Sequence, residues 1–279
     1  MVWSALKGRR YFVIRIIEIT DNLREEYNNK LLKFEQLFTY PLGGDNFVIN
    51  HGKDYFKFFD LLGRPYIMAI VDDEQLVGVA IIILRNIDIL NIGKLEPVWY
   101  ICDLKIHPNY RGKFIIHKVF HFAIKKYGAI SRKIYGISMN SNDLESNKLI
   151  NLATRIPALK LKQEGMLLFF LINNTQLDQI ITLLNQHYSK LGYCSLMSVK
   201  NLIMSSTSTP IPLIHLVPGG KSNVVINRDD NNDFMFCVSL SNKPLIQELD
   251  QIKIQYVATA SVISNITGCN WSFISSNEV

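Results

Sequence analysis

The chain has 279 residues, 48% of them apolar and 11% aromatic, with a formal net charge of +6. That composition excludes whole-chain disorder and suffices for one large domain or two modest ones. No run approaches the roughly 20 apolar residues that span a bilayer. The opening MVWSALKGRRYFVIRI lacks the apolar core and cleavage site of a signal peptide, so a cytoplasmic protein without a membrane partner is expected.

The charge is uneven. Residues 1–172 carry a net +7 and residues 173–279 a net −1, which suits a poly-anionic ligand of the first part. The four cysteines, Cys102, Cys194, Cys237 and Cys269, contain no Cys-x-x-Cys pair. They read as buried free thiols rather than zinc ligands or a disulfide framework.

In chain order, Tyr11 to Ile19 alternates as a first strand. Asp21 reads as a helix N-cap, and Leu23, Tyr27, Leu31, Phe34 and Phe38 fall at helical spacing. Pro41-Leu42-Gly43-Gly44 ends that helix. A short helix over 54–62 presents Tyr55, Phe56, Phe58 and Phe59, an aromatic group expected in the core. A hairpin follows, with strands 66–71 and 76–84 and a turn at Asp72 to Gln75. Gly78 in its second strand marks a bulge or a close backbone approach. A strand over 98–106 runs into His107-Pro108-Asn109-Tyr110, then Arg111-Gly112-Lys113, then an amphipathic helix to about Tyr127. Next come a strand over 134–139, a helix capped within 140–143 and running to about Arg155, and an apolar strand over 166–172.

Beyond residue 173 the pattern gives a helix to about Lys190, a polar Pro-containing stretch at 205–212, and short β-like runs at 214–217, 223–227, 234–240 and 252–263. Trp271 to Ile274 could add one more strand. This part is too apolar for a tail, and reads as a β-rich subdomain or an extension of the preceding sheet. No internal repeat is visible, which argues against a tandem pair of domains.

The chemistry concentrates at Val98 to Lys126. A strand that stops at a tight basic loop opening a helix is an anion site, because the first-turn N–H groups lack helical partners and the dipole favours negative charge. With its neighbours, this segment resembles the cofactor loop of the GNAT acetyltransferases, written Arg/Gln-x-x-Gly-x-Gly/Ala. Arg111 matches the first position, and Tyr110-Arg111-Gly112-Lys113 matches a common fuller form. Asp103, Pro108 and Tyr110 fall in familiar places, and the element order of residues 10–172 is the family's. Phe114 and Ile116 depart from it by standing where the motif has small residues.

The resemblance implies an α/β (α+β) fold with a mixed, largely antiparallel sheet flanked by helices. It divides the chain into a GNAT-like domain at 1–172 and a C-terminal helix plus β-rich extension or subdomain at 173–279. It implies N-acyl transfer from acetyl-CoA, or a related acyl-CoA, to an amine, with no metal. The pyrophosphate would lie on Arg111, Gly112, Lys113, Phe114, Ile115 and Ile116, and the acyl arm on Leu104, Lys105 and Ile106, with Asn142 facing it. Asp103 would handle the proton, with Glu96 and His107 as other candidates for the base. Strict alternation puts Tyr100, Cys102 and Leu104 on one face of the strand and Ile101, Asp103 and Lys105 on the other. The family's leaving-group tyrosine would fall near Leu149 and is absent.

Two other readings compete. One is a catalytically degenerate protein of this fold that binds acyl-CoA or a protein partner without turnover. The other is a nucleic-acid or protein module using the basic face, which is disfavoured because the basic residues are interleaved with acids. His117 and His121 stand four apart without a third ligand, and Gly219-Gly220-Lys221-Ser222 lacks the first glycine of a phosphate loop, since His215 stands there. Residues 173–279 would supply acceptor walls or a homodimer interface.

Overall fold

The computed structural model describes residues 13–89, 92–140, 148–188, 192–194, 199–215, 233–269, 271–274 and 278. The first strand, β1 (Ile14–Ile19), leads into α1 (Asp21–Glu35), whose N-cap is Thr20 with Asp21 in the first turn. Tyr27, Leu31, Phe34 and Glu35 are its buried residues. The glycine pair expected only to end this helix instead forms the turn of a small hairpin, β2 (Tyr40–Leu42) and β3 (Asp45–Asn50). Gly43 and Gly44 both have positive φ there, at 58° and 86°.

Next come α2 (Lys57–Leu62), β4 (Arg64–Asp72), β5 (Gln75–Ile87) and β6 (Glu96–Ile106). A single 3-10 turn at Pro108–Tyr110 precedes α3 (Ile115–Tyr127). Then β7 (Ile134–Met139), α4 (Lys148–Thr154), β8 (Lys162–Ile172) and α5 (Leu177–His187) follow. The C-terminal part adds β9 (Gly192–Cys194), β10 (Asn201–Met204), β11 (Pro210–Ile211), β12 (Leu213–His215), β13 (Phe234–Ser239), α6 (Lys243–Gln251) and β14 (Tyr256–Ser264). The helix α6, capped by Asn242 onto the Leu245 N–H, has no counterpart in the sequence reading. Trp271 to Ile274 is a turn and not a strand. The expected run at 223–227 lies outside the described residues.

Among the described residues, ten strands form one mixed sheet in the order β1-β4-β5-β6-β7-β14-β8-β13-β12-β9. The expected boundary at residue 172 is the end of β8, and the hydrogen bonding continues across it. The strand β14 inserts between β7 and β8, antiparallel to both. A second sheet, in the order β11-β10-β3-β2, joins the early hairpin to a strand pair from the C-terminal part.

The core forms layers on both faces of the large sheet. On one face α1, α2, the second sheet and residues 266–269 and 271–274 share a cluster containing Tyr55, Phe58, Phe59, Tyr100, Tyr135 and Trp271. The aromatic group of residues 55–59 is buried as expected. On the other face α3 packs on Trp99 and Ile106, α4 packs beside Ile263, and α5 and α6 cover Phe170 and Phe236. Burial of this kind contributes roughly 1.5–3 kcal/mol per large apolar side chain.

Among the described residues, Cys102, Cys237 and Cys269 are free thiols. No helix among them is long and apolar enough to cross a membrane.

Candidate active site

Two departures from ideal pairing open the sheet at β6. The β5–β6 register runs Ile81↔Asp103 and then Ile82↔Ile101, so Cys102 is an extra residue, a bulge. The β6–β7 pairing is parallel and covers only Trp99↔Ile134 to Ile101↔Gly136. Past Ile101 the two strands stop pairing, and a cleft lies between Cys102–Ile106 on one side and Ile137–Met139 on the other. It opens into a cavity of about 800 Å³.

The bulge overturns the expected alternation. Inserting one residue reverses the side-chain facing beyond it, so Asp103 and Lys105 share the Tyr100 face, while Ile101 and Leu104 pack toward α3 and α4. Gly78 sits opposite, paired with Ile106 and next to the β4–β5 register shift. A Cβ there would stand 2.7 Å from Ile106 Cδ1 and 2.8 Å from the Lys105 carbonyl oxygen. Glycine thus permits the close approach that the sequence suggested.

At one end of the cavity is the basic loop. The Tyr110 hydroxyl donates to Asp72 Oδ2 at 2.9 Å, which ties the loop to the β4–β5 turn. Arg111 Nε donates to the Ile106 carbonyl at 3.3 Å. Gly112 takes a left-handed φ of +75°. No side chain caps α3, and the Lys118 N–H bonds back to the Phe114 carbonyl at 3.3 Å, leaving the preceding amides as first-turn donors. Phe114 adopts φ +57°, a conformation that suits the glycine of the motif, and its ring turns to solvent with 74% exposure. Ile116 is half-buried and borders both the main cavity and a 180 Å³ apolar pocket formed with Tyr110, Lys113, Phe114, Ile115 and His117. Asn142 lies outside the described residues.

The other end is charged, and its side chains are buried. Lys105 Nζ lies 2.6 Å from Glu35 Oε2 and 2.7 Å from Asp103 Oδ2, and the Tyr55 hydroxyl donates to Asp103 at 3.2 Å. His51 Nε2 is 4.0 Å from Glu35 Oε2. Lys200, just before β10, is buried with its ammonium 4.4 Å from the centre of the Phe58 ring. Burial raises the Glu35 carboxyl to about 7, partly offset by the Lys105 ammonium. Burial alone would lower Lys105, but Asp103, Tyr40 and Glu35 outweigh it and hold it well above its ordinary value. Burial, reinforced by Lys105 and Lys200, keeps His51 well below the usual imidazole range. Burial also lowers Lys200 to about 8 and raises the Cys102 thiol to about 12.

Of the residues named from sequence, the structure brings Asp103, Leu104, Lys105, Ile106, Arg111, Gly112 and Ile116 to one cavity. Lys113, Phe114 and Ile115 line the small pocket beside it. Glu96 is not among them: it starts β6, far from the loop, and pairs with Lys94 and Lys133. Sequence reading missed Glu35, His51, Tyr55 and Lys200 as site residues. Only Glu35 carried a signal, a charged residue four positions after Leu31 on the apolar stripe of α1. Among the described residues, no three His, Cys, Asp or Glu side chains cluster as metal ligands.

No protein-family model matches this chain, and no curated protein does. Solved structures do. A tandem GNAT protein from the clavulanic acid biosynthesis pathway is 8% identical, with 90% of this chain and 98% of that chain covered at a TM-score of 0.54. A probable N-acyltransferase from Enterococcus faecalis V583 is 11% identical over 94% of this chain and 74% of that one, with a TM-score of 0.47. Arabidopsis thaliana NAA60, in complex with a bisubstrate analogue, is 15% identical over 55% of this chain and 86% of its own length, with a TM-score of 0.39. The chain therefore has the GNAT fold, here built on one continuous ten-stranded sheet.

Proposed function

We propose that the protein is a cytoplasmic N-acyltransferase that moves an acetyl or related acyl group from acyl-CoA to an amine. The observation that carries this reading is the splay of β6 from β7 beside the uncapped start of α3, with the cavity between them. The first-turn amides of α3, Gly112 and the side chains of Arg111 and Lys113 would hold the pyrophosphate. The arm would run along Leu104, Lys105 and Ile106 with Asn142 facing it, and the unpaired backbone at the Cys102 bulge would polarise the acyl carbonyl. Phe114, turned outward, would leave the amides uncovered, and Ile115 and Ile116 would wall the pantetheine. Asp103 would hold Lys105 and Tyr55 at the acceptor end. The free thiols support a reducing compartment.

The C-terminal part would complete the acceptor wall, because the pairing of β10 with β3 brings Lys200 beside Phe58 and His51. The test is calorimetric titration with acetyl-CoA and coenzyme A. Micromolar binding to the wild type, weakened tenfold or more in Arg111→Ala, is the expected result. Absence of binding to either ligand overturns the reading. Binding without transfer to any amine would favour a protein that holds acyl-CoA without turnover.

A further inference from the structure

Within the large sheet, β1, β4, β5 and β6 join the remaining strands through one short parallel ladder. Among the described residues it holds three pairs, Trp99↔Ile134, Tyr100↔Tyr135 and Ile101↔Gly136. Parallel pairing is the slightly weaker kind, and a ladder that stops at Ile101 is free to fray or to close further at its open end. The width of the cleft between Leu104–Ile106 and Ile137–Met139 therefore depends on what else holds the two strands where pairing ends.

Four residues form a clasp at that point. Tyr100 and Tyr135 are fully buried and stack across the ladder, with ring centres 4.8 Å apart and planes 8° from parallel. The Tyr135 hydroxyl donates to Glu278 Oε2 at 3.0 Å, and the Tyr100 hydroxyl donates to the Glu278 backbone carbonyl. Arg85, on β5, donates through Nη1 to the same Oε2 at 2.6 Å and to the Tyr135 hydroxyl at 2.6 Å. One residue, 178 positions beyond Tyr100, thus ties β5, β6 and β7 together. Glu278 also borders the main cavity.

The clasp is charged and shielded from water, which strengthens its bonds. The Glu278 side chain is 1% exposed and that of Arg85 19%. Burial works against the Arg85 charge, but Glu278 and Tyr135 outweigh it and hold the guanidinium above its ordinary value. Burial raises both phenols well above theirs, so each hydroxyl keeps the proton it donates. Trp271 and Phe273 pack against Tyr135, with ring centres 6.1 and 5.5 Å away.

We propose that Glu278 is a positioning residue of the acyl transfer: by clasping Tyr100 and Tyr135 it fixes the spread of β6 and β7 that receives the acyl-CoA arm. This rests on the acyltransferase reading above. Without the clasp the two strands shift against each other, and the Cys102 bulge moves relative to the thioester. The basic loop at Arg111 to Lys113 is held separately, through Tyr110 and Asp72, so the nucleotide end is left in place. The clasp serves the arm and not the pyrophosphate.

The experiment compares Glu278→Ala, and a double variant carrying Tyr100→Phe and Tyr135→Phe, with the wild type on the full chain. The double variant keeps both rings packed and carries the test should Glu278→Ala fail to fold. Val238→Ala, in the core on the other face of the sheet, controls for general loss of stability. The first readout is amide hydrogen exchange. Exchange at 99–101 and 134–136 is expected to accelerate roughly tenfold or more in the clasp variants and not in Val238→Ala. The second is calorimetry with coenzyme A and with 3′-phospho-ADP, which carries the nucleotide and diphosphate without the arm. Coenzyme A should bind about tenfold more weakly to both clasp variants, with 3′-phospho-ADP unchanged.

Unchanged exchange at the ladder overturns the proposal. So does unchanged coenzyme A affinity, or equal weakening of both ligands. A wild type that binds neither ligand overturns the acyltransferase reading itself, and the role of Glu278 in acyl transfer falls with it.

Discussion

The two ends of the cavity are built in opposite ways. The loop end is a contiguous run, Ile106 to Ile116, whose polar contribution is largely backbone: a left-handed glycine, an uncapped helix start, and two basic side chains. The charged end assembles Glu35, His51, Tyr55, Asp103, Lys105 and Lys200 from distant segments, all buried or nearly so. An anion site at a helix start needs only local geometry and tolerates water. A buried charge cluster needs partners from elsewhere in the chain, because each ion alone would be costly to desolvate.

Substitutions can break that contrast. The largest effect is expected from Lys105→Met, which leaves Glu35 and Asp103 as two buried carboxylates without their shared cation. A loss of about 3–5 kcal/mol in urea unfolding at pH 8 is expected, smaller at pH 5.5 where Glu35 takes up a proton. Equal losses at the two pH values would show that the cluster does not act as one unit.

Glu35→Gln tests the same end through linkage. The folded-state pKa of about 7 lies above the ordinary value of 4.5, so this carboxyl favours folding when protonated. Its contribution is complete below about 4.5 and is lost as pH rises through about 7. The wild type should therefore lose stability relative to Glu35→Gln across that window, by up to roughly 3 kcal/mol. A pH-independent difference between the two proteins would refute the raised carboxyl.

Gly78→Ala probes the hinge between the ends. The added methyl meets the Lys105 carbonyl oxygen and Ile106 Cδ1, and should cost about 1–3 kcal/mol and weaken coenzyme A binding by displacing the edge of β6. Unchanged affinity would mean that the edge of β6 does not hold the ligand.

The smallest effect is expected at the loop. Phe114→Gly relieves a left-handed non-glycine residue and removes an exposed ring, so a gain of about 0.5–1 kcal/mol in thermal unfolding is expected, with coenzyme A binding retained or improved. A loss of binding would assign the ring itself to the ligand.

To residue 172 the sequence by itself determined the order of elements apart from the β2–β3 hairpin, together with the aromatic core of 55–59, because each rests on short-range periodicity, turn chemistry or local capping. The glycine at 78 and the basic loop were legible for the same reason. The facing of Asp103 was not, since one bulged residue at Cys102 reverses every side chain after it and leaves no mark in the alternation pattern. The insertion of β14 between β7 and β8 was decided by pairing across more than a hundred residues. The charged end of the cavity was likewise a tertiary result. Glu35 stood out only by its place on the apolar stripe of α1, and His51 and Lys200 carried no signal in the sequence. Only folding brings them to within interacting distance, where burial and mutual charge replace solvent as the determinant of their protonation.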